Sequence, residues 1–218
     1  MALVPKYIKN LSPYVPGKRI EDIKVKSNIG KIIKLSSNEN PYGPSKKAIK
    51  ILSSCHSGLN RYPDSSGLLL RKKISEVYSV KVENVILGSG SEGIMSAIIR
   101  TFLNNEDEII GSENSFIGFR VLANASGRKI NWIKPKKYHY DLKRIANKIN
   151  INTKIIYLAN PDNPTGTYFN KNDFENFMKN VPERVLVILD EAYFEYANHR
   201  QDYPCLLYTS PSPRDLRK

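Results

Sequence analysis

A chain of 218 residues, 40% of them hydrophobic, is long enough to bury the core of one sizeable domain, or of one domain and part of another. It contains no run of 18 apolar residues, and residues 1–10 lack the apolar centre of a secretory leader; this excludes a helical membrane span and leads to the expectation of a cytoplasmic protein. The net charge of +13 is dispersed, because the lysines stand among Asn and Ile with only short clusters such as Lys134 to Lys137, so a solvated basic surface is expected rather than a nucleic-acid footprint.

Taken in order, residues 1–44 read as loop, broken by Pro5, Pro13, Pro16, Pro41 and Pro44. Ser45 is placed to cap a short helix carrying Ala48, Ile51 and Leu52 on one side, and Leu70, Ile74 and Val77 recur at helical spacing in the next. Val85 to Leu87 reads as a short strand, followed by a Gly-Ser turn and a helix from about Ser91 to Phe102. Strands are expected at Glu108–Ser112, Lys129–Ile133, Lys154–Ala159 and Arg184–Leu189. Helices are expected at Phe116–Ala125, around Leu142, Ile145 and Ile149, and around Phe174, Phe177 and Met178. This alternation predicts an α/β fold with a mainly parallel sheet and flanking helices.

In such sheets ligands collect at the carboxyl ends of the strands, and three strings fall there. Gly88-Ser-Gly-Ser-Glu-Gly93 opens a helix, whose first N–H groups and positive potential suit an anion, while the glycines permit close backbone approach. It also matches G-x-G-x-x-G, with Glu113 20 residues after Gly93, so a dinucleotide-binding dehydrogenase stays open at this point. Asn160-Pro-Asp-Asn-Pro-Thr-Gly166 holds the amide of Asn163 in a rigid turn, where it can donate to a phenolate-type oxygen without bringing charge. Leu189-Asp-Glu-Ala-Tyr193 ends an apolar run with Asp190, a carboxylate that needs a cationic partner such as a protonated ring nitrogen. A Walker B role for that acid would require a G-x-x-x-x-G-K-[ST] loop, which the chain lacks. Cys55 and Cys205 are not spaced as a metal cluster, and no metal site is expected.

With Asn10-Leu-Ser-Pro-Tyr-Val-Pro-Gly-Lys18, Leu35-Ser-Ser-Asn-Glu-Asn-Pro-Tyr-Gly-Pro-Ser45 and Asn60-Arg-Tyr-Pro-Asp64 ahead of them, these strings form an ordered set over residues 5–204. The set resembles the histidinol-phosphate aminotransferase branch of the fold type I pyridoxal-phosphate enzymes. The resemblance implies pyridoxal 5'-phosphate as cofactor, with Gly90, Ser91 and Glu92 at its phosphate and Phe116 stacked on its ring. Asn163 and Tyr193 would sit at the ring 3-oxygen and Asp190 at the ring nitrogen. Tyr62 would reach the phosphate held by a second subunit, implying a homodimer, while Tyr14, Asn38, Asn40 and Tyr42 would line the substrate side. The implied reaction moves an amino group between L-histidinol phosphate and 2-oxoglutarate. Threonine-phosphate decarboxylases and aromatic aminotransferases share many of these strings and remain open alternatives, as does a non-catalytic basic binding module.

The resemblance divides the chain into an N-terminal arm and substrate-side loop (1–44) and part of a cofactor-binding large domain (45–204). The string Cys205 to Asp215 looks like a translated sequencing adapter, so 205–218 is expected to be a non-native tail. The family's Schiff-base lysine lies in a Ser-Lys string that nothing after Tyr193 matches. The expectation is therefore an inactive fragment without a catalytic lysine or small C-terminal domain, and with Val85 to Leu87 facing a gap in the sheet.

Overall fold

In the computed structural model, which describes residues 3–12, 17–24 and 32–204, the chain order begins with α1 (Lys6–Lys9), α2 (Ile20–Lys24), α3 (Lys46–Leu52), α4 (Leu68–Tyr78) and α5 (Gly90–Phe102). Strands then alternate with helices: β1 (Glu108–Ser112), α6 (Ile117–Ala125), β2 (Lys129–Ile133), α7 (Leu142–Lys148), β3 (Thr153–Ala159), α8 (Lys171–Met178), β4 (Leu186–Asp190) and α9 (Phe194–Ala197). The chain groups into two units, residues 1–12 with 69–218, and residues 13–68. Tyr14 and the tail from Cys205 lie outside the described residues.

The larger unit is built on a four-stranded sheet in the order β2-β1-β3-β4, every pair parallel. The α/β architecture is the one the alternating pattern predicts. Because side chains alternate across a strand, each strand serves two cores. Ile109, Ile155, Tyr157 and Ala159 pack with Met95 and Ile99 of α5 and Phe119 and Ala123 of α6 on one face. Ile110, Ile156 and Leu158 pack with Leu142 and Ile145 of α7 and Phe174 and Phe177 of α8 on the other. The continuous apolar runs in β1 and β3 follow from this double burial.

Strand order also positions the crevice. From β1 the chain moves outward to β2 through α6, then crosses back past β1 to β3 through α7, and continues to β4 through α8. Crossovers of one hand that run in opposite directions put their helices on opposite faces, so the loops leaving β1 and β3 diverge at their carboxyl ends. That divergence is the switch point at which α/β sheets bind ligands.

Two expectations are corrected. Val85 to Leu87 is not a strand: among the described residues no ladder partner adjoins it, and an extended segment without a neighbour forms no sheet. Val85 is buried, but its carbonyl accepts from Arg71 Nε (2.9 Å) and Ile86 is 81% exposed. The stretch 1–44 is not wholly loop, since it carries α1 and α2; α1 begins directly after Pro5, whose fixed φ suits the approach to a helix. In the smaller unit Ser45 caps α3 as expected, its hydroxyl accepting the Ala48 N–H at 3.1 Å.

Candidate functional site

A cavity of about 160 Å³ lies in the larger unit, lined by Ser91, Phe116, Ala159, Pro161, Asn163, Asp190, Ala192 and Tyr193. Segments far apart in sequence meet there because each leaves the carboxyl end of a strand or enters a helix beside one. Five of the residues singled out from sequence, Ser91, Phe116, Asn163, Asp190 and Tyr193, share this one wall.

Gly90, Ser91 and Glu92 form the first turn of the 13-residue α5. Gly90 enters it at φ +68°, a left-handed conformation that costs glycine little, and its N–H bonds back to the Gly88 carbonyl at 2.8 Å. The first N–H groups of a helix have no acceptor within it, so this end presents donors and positive potential. Phe116 stands at the N-cap of α6, immediately after the turn that ends β1.

The Asn160–Gly166 loop is held from within. Asn160 is fully buried, and its Oδ1 accepts the Phe169 N–H at 3.0 Å. Asp162 is also buried; its carboxylate accepts from Ser115 (2.7 Å) and Thr165 (2.8 Å), and its carbonyl accepts the Gly166 N–H (2.8 Å). Both Asn160-Pro161 and Asn163-Pro164 are cis. The Tyr140 hydroxyl lies 2.6 Å from Ser115 Oγ and accepts the Ala159 N–H (3.0 Å); burial pushes this phenol well above the ordinary tyrosine range. A buried polar network thus ties the loop bearing Phe116 to the loop bearing Asn163.

Asp190 ends β4 with each carboxylate oxygen engaged. Oδ2 accepts from the Tyr157 hydroxyl at 2.7 Å, and Oδ1 accepts the Ala192 N–H at 3.1 Å. The next residue, Glu191, has its carboxyl pushed up to about 7, chiefly by burial, with Asp190 and Glu195 adding repulsion and Tyr203 opposing it. Tyr203 donates to the Asn160 carbonyl and lies 3.2 Å from Glu191 Oε1.

The remaining sequence candidates belong to residues 13–68. There Asn40 builds its own loop, accepting the Tyr42 N–H (3.0 Å) and donating to the Gly43 carbonyl (3.2 Å). Asn38 takes a positive φ of 50°, and Tyr42 and Tyr62 are almost fully exposed. Tyr14 falls outside the described residues. Sequence reading missed Tyr157, Tyr140, Ser115 and Asp162, whose roles depend on which strands become neighbours. The dinucleotide fingerprint loses its support, because the strand that should precede its glycines is absent. Among the described residues no group of three or more His, Cys, Asp or Glu could hold a metal, and no helix is long and apolar enough to cross a membrane.

Comparison with known proteins agrees with the geometry. A histidinol-phosphate aminotransferase of Anaeromyxobacter sp. is 39% identical over 199 residues, covering 91% of this chain and 55% of its own. A protein of Carboxydothermus hydrogenoformans, histidinol-phosphate aminotransferase 2, is 39% identical over 202 residues, covering 93% and 56%. The chain thus spans about half the length of the curated relatives it matches. The crystal structure of histidinol-phosphate aminotransferase from Sinorhizobium meliloti, a complex with pyridoxal-5'-phosphate, superposes with a TM-score of 0.81 over 94% of this chain and 55% of that one, at 21% identity, and so supports the fold. The sequence profile of aminotransferase class I and II matches residues 30–211, most of the chain, and with the strand-end site this shows that the chain belongs to the aminotransferase class I and II family.

Proposed function

We propose that the chain is the cofactor-binding portion of a cytoplasmic, homodimeric histidinol-phosphate aminotransferase, which exchanges an amino group between L-histidinol phosphate and 2-oxoglutarate in histidine biosynthesis. The reading rests on the family match and on the names of the most similar relatives. Residues 45–204 would then be part of the large domain, and 1–44 the arm and substrate-side loop.

One observation carries the cofactor assignment: the carboxylate of Asp190 and the N-terminal turn of α5 face a common cavity. An acid and a positive helix end suit the two poles of pyridoxal 5'-phosphate, its ring nitrogen and its phosphate. When bound, that group supplies the electron sink for removing the Cα proton of an amino acid. The chain's own residues would hold and orient it. Gly90, Ser91 and Glu92 would bind the phosphate, largely through backbone N–H groups of the turn, and the Phe116 ring would cover one face of the pyridine. Asn163 and Tyr193 would donate to the 3-oxygen, and Asp190 would keep a proton on the ring nitrogen. The exposure of Tyr62 and Tyr42 is compatible with work at a subunit boundary and on the substrate side, with Tyr14, Asn38 and Asn40 assigned to the latter. No catalytic residue is assigned within the chain, because no Ser-Lys string follows Tyr193.

Equilibrium dialysis of the 218-residue chain against pyridoxal phosphate tests the site, with saturable binding expected and its absence fatal to the assignment. Assay of the full-length gene product tests the reaction. Glutamate formed from 2-oxoglutarate and L-histidinol phosphate supports it, whereas CO₂ released from threonine phosphate would move the protein to a decarboxylase.

A further inference from the structure

Tyr157 is a tyrosine with no outlet to solvent. It sits in the middle of β3, is 1% exposed, and its ring stacks on Phe119 with centroids 3.9 Å apart and planes 8° from parallel. A phenol is costly to bury unless its hydroxyl finds a partner. Here the hydroxyl reaches across the sheet to Asp190 Oδ2 at 2.7 Å. The contact follows from the pleat and the register. Leu186 and Ile188 pack on the same core face as Tyr157, so Asp190, two residues further along β4, emerges on that face as well. Tyr157 is paired with Ile188, which places the long phenol one pleat short of the carboxylate.

On the other oxygen Asp190 accepts the Ala192 N–H, so the carboxylate is held from two sides and cannot rotate without losing a bond. Tyr157 remains a donor, since burial and the charge of Asp190 disfavour its phenolate.

We propose that Tyr157 is a positioning residue for Asp190, whose hydroxyl fixes the carboxylate in one orientation, turned to meet the nitrogen of a pyridine ring bound in the cavity. The last part rests on the cofactor reading above; the coupling between the two side chains does not. Tyr157 does not line the cavity and acts only through Asp190.

The test uses the 218-residue chain and Tyr157→Phe, which removes one oxygen and retains the stacked ring. With carboxyl-¹³C aspartate, and Asp190 assigned by the signal lost in Asp190→Asn, the Asp190 carboxyl resonance at fixed neutral pH should move in Tyr157→Phe, because one of its hydrogen-bond donors is removed. The charged and titratable neighbours Glu191, Asp162 and Tyr140 are unchanged in the variant, so the difference reports the hydroxyl. An unmoved Asp190 signal overturns the proposal, as does a lower melting temperature with no change in that signal, the mark of a purely structural role. With ring-¹⁵N pyridoxal phosphate, the bound nitrogen signal should move in the variant towards that of neutral pyridine. An Asp190 shift together with no binding by the parent chain would overturn the cofactor reading while leaving the positioning role in place. Should Tyr157→Phe fail to fold, Phe119→Leu, which loosens the stack and leaves the hydroxyl, should move the Asp190 signal by a smaller amount, and an unmoved signal there would also overturn the proposal.

Discussion

At the scale of single residues, two carboxylates at opposite ends of the sheet do different work. Asp190, at the carboxyl end, is held by a phenol and a backbone N–H and faces a cavity. Asp190→Asn should keep the fold and weaken pyridoxal phosphate binding by at least about tenfold, or about 1.4 kcal/mol, measured by dialysis. Glu108, at the amino end, is 4% exposed and accepts from Lys129 (2.6 Å), Asn131 (2.8 Å) and Asn150 (2.9 Å). These bonds, the Lys129 ammonium first, lower its carboxyl from 4.5 to about 2. An acid whose pKa falls on folding contributes stability that is complete above its unfolded value and is lost as pH drops through the folded one. Glu108→Gln should therefore destabilise the chain by about 1–2 kcal/mol at neutral pH, with the difference from the parent vanishing as pH falls from 4.5 towards 2 in acid-denaturation curves.

At the scale of elements, the sheet's register can be tested where it is tightest. Gly111 in β1 pairs with Trp132 in β2, and a Cβ at Gly111 would lie 2.6 Å from Trp132 Cζ3. Trp132 is further engaged by Arg120, whose guanidinium carbon lies 5.3 Å from the ring centroid. Gly111→Ala forces the indole aside and should cost about 1–3 kcal/mol in denaturant unfolding. An unaffected midpoint would mean that the indole does not lie over the strand. Most elements were legible in the sequence: β1 and β2 match their expected bounds, and β3, α5 and α6 begin within one residue of theirs. Periodicity and caps are local properties, so they survive without knowledge of the fold. Val85 to Leu87 was misread because a short apolar run shows readiness to pair but says nothing of whether a partner is adjacent.

At the scale of the whole molecule, the larger unit leaves apolar surface uncovered. Ile86, Leu69, Leu70 and Val77 are 81%, 85%, 56% and 51% exposed, and α4 buries none of its residues. Exposed apolar surface of this kind favours association. The purified 218-residue chain should bind a hydrophobic dye and sediment with concentration-dependent mass, and Ile86→Lys with Leu69→Lys should reduce both. A dye-silent monomer would contradict this. The net charge of +13 opposes association, so added salt should promote it.

The linear chain by itself determined the alternation of strands and helices, the capped start of α3, the glycine-led start of α5, and the three strings that end at the cavity. Each is a property of a few consecutive residues, and these carry most of the family resemblance. The tertiary structure alone decided that Asp190 and Ser91 share one cavity, that Ser115, Tyr140 and Asp162 join two of its loops, and that Tyr157 stands behind Asp190. Those pairs stand 25 to 99 positions apart, and they depend on strand order and register, which bring distant segments together and leave no local pattern in the residues themselves.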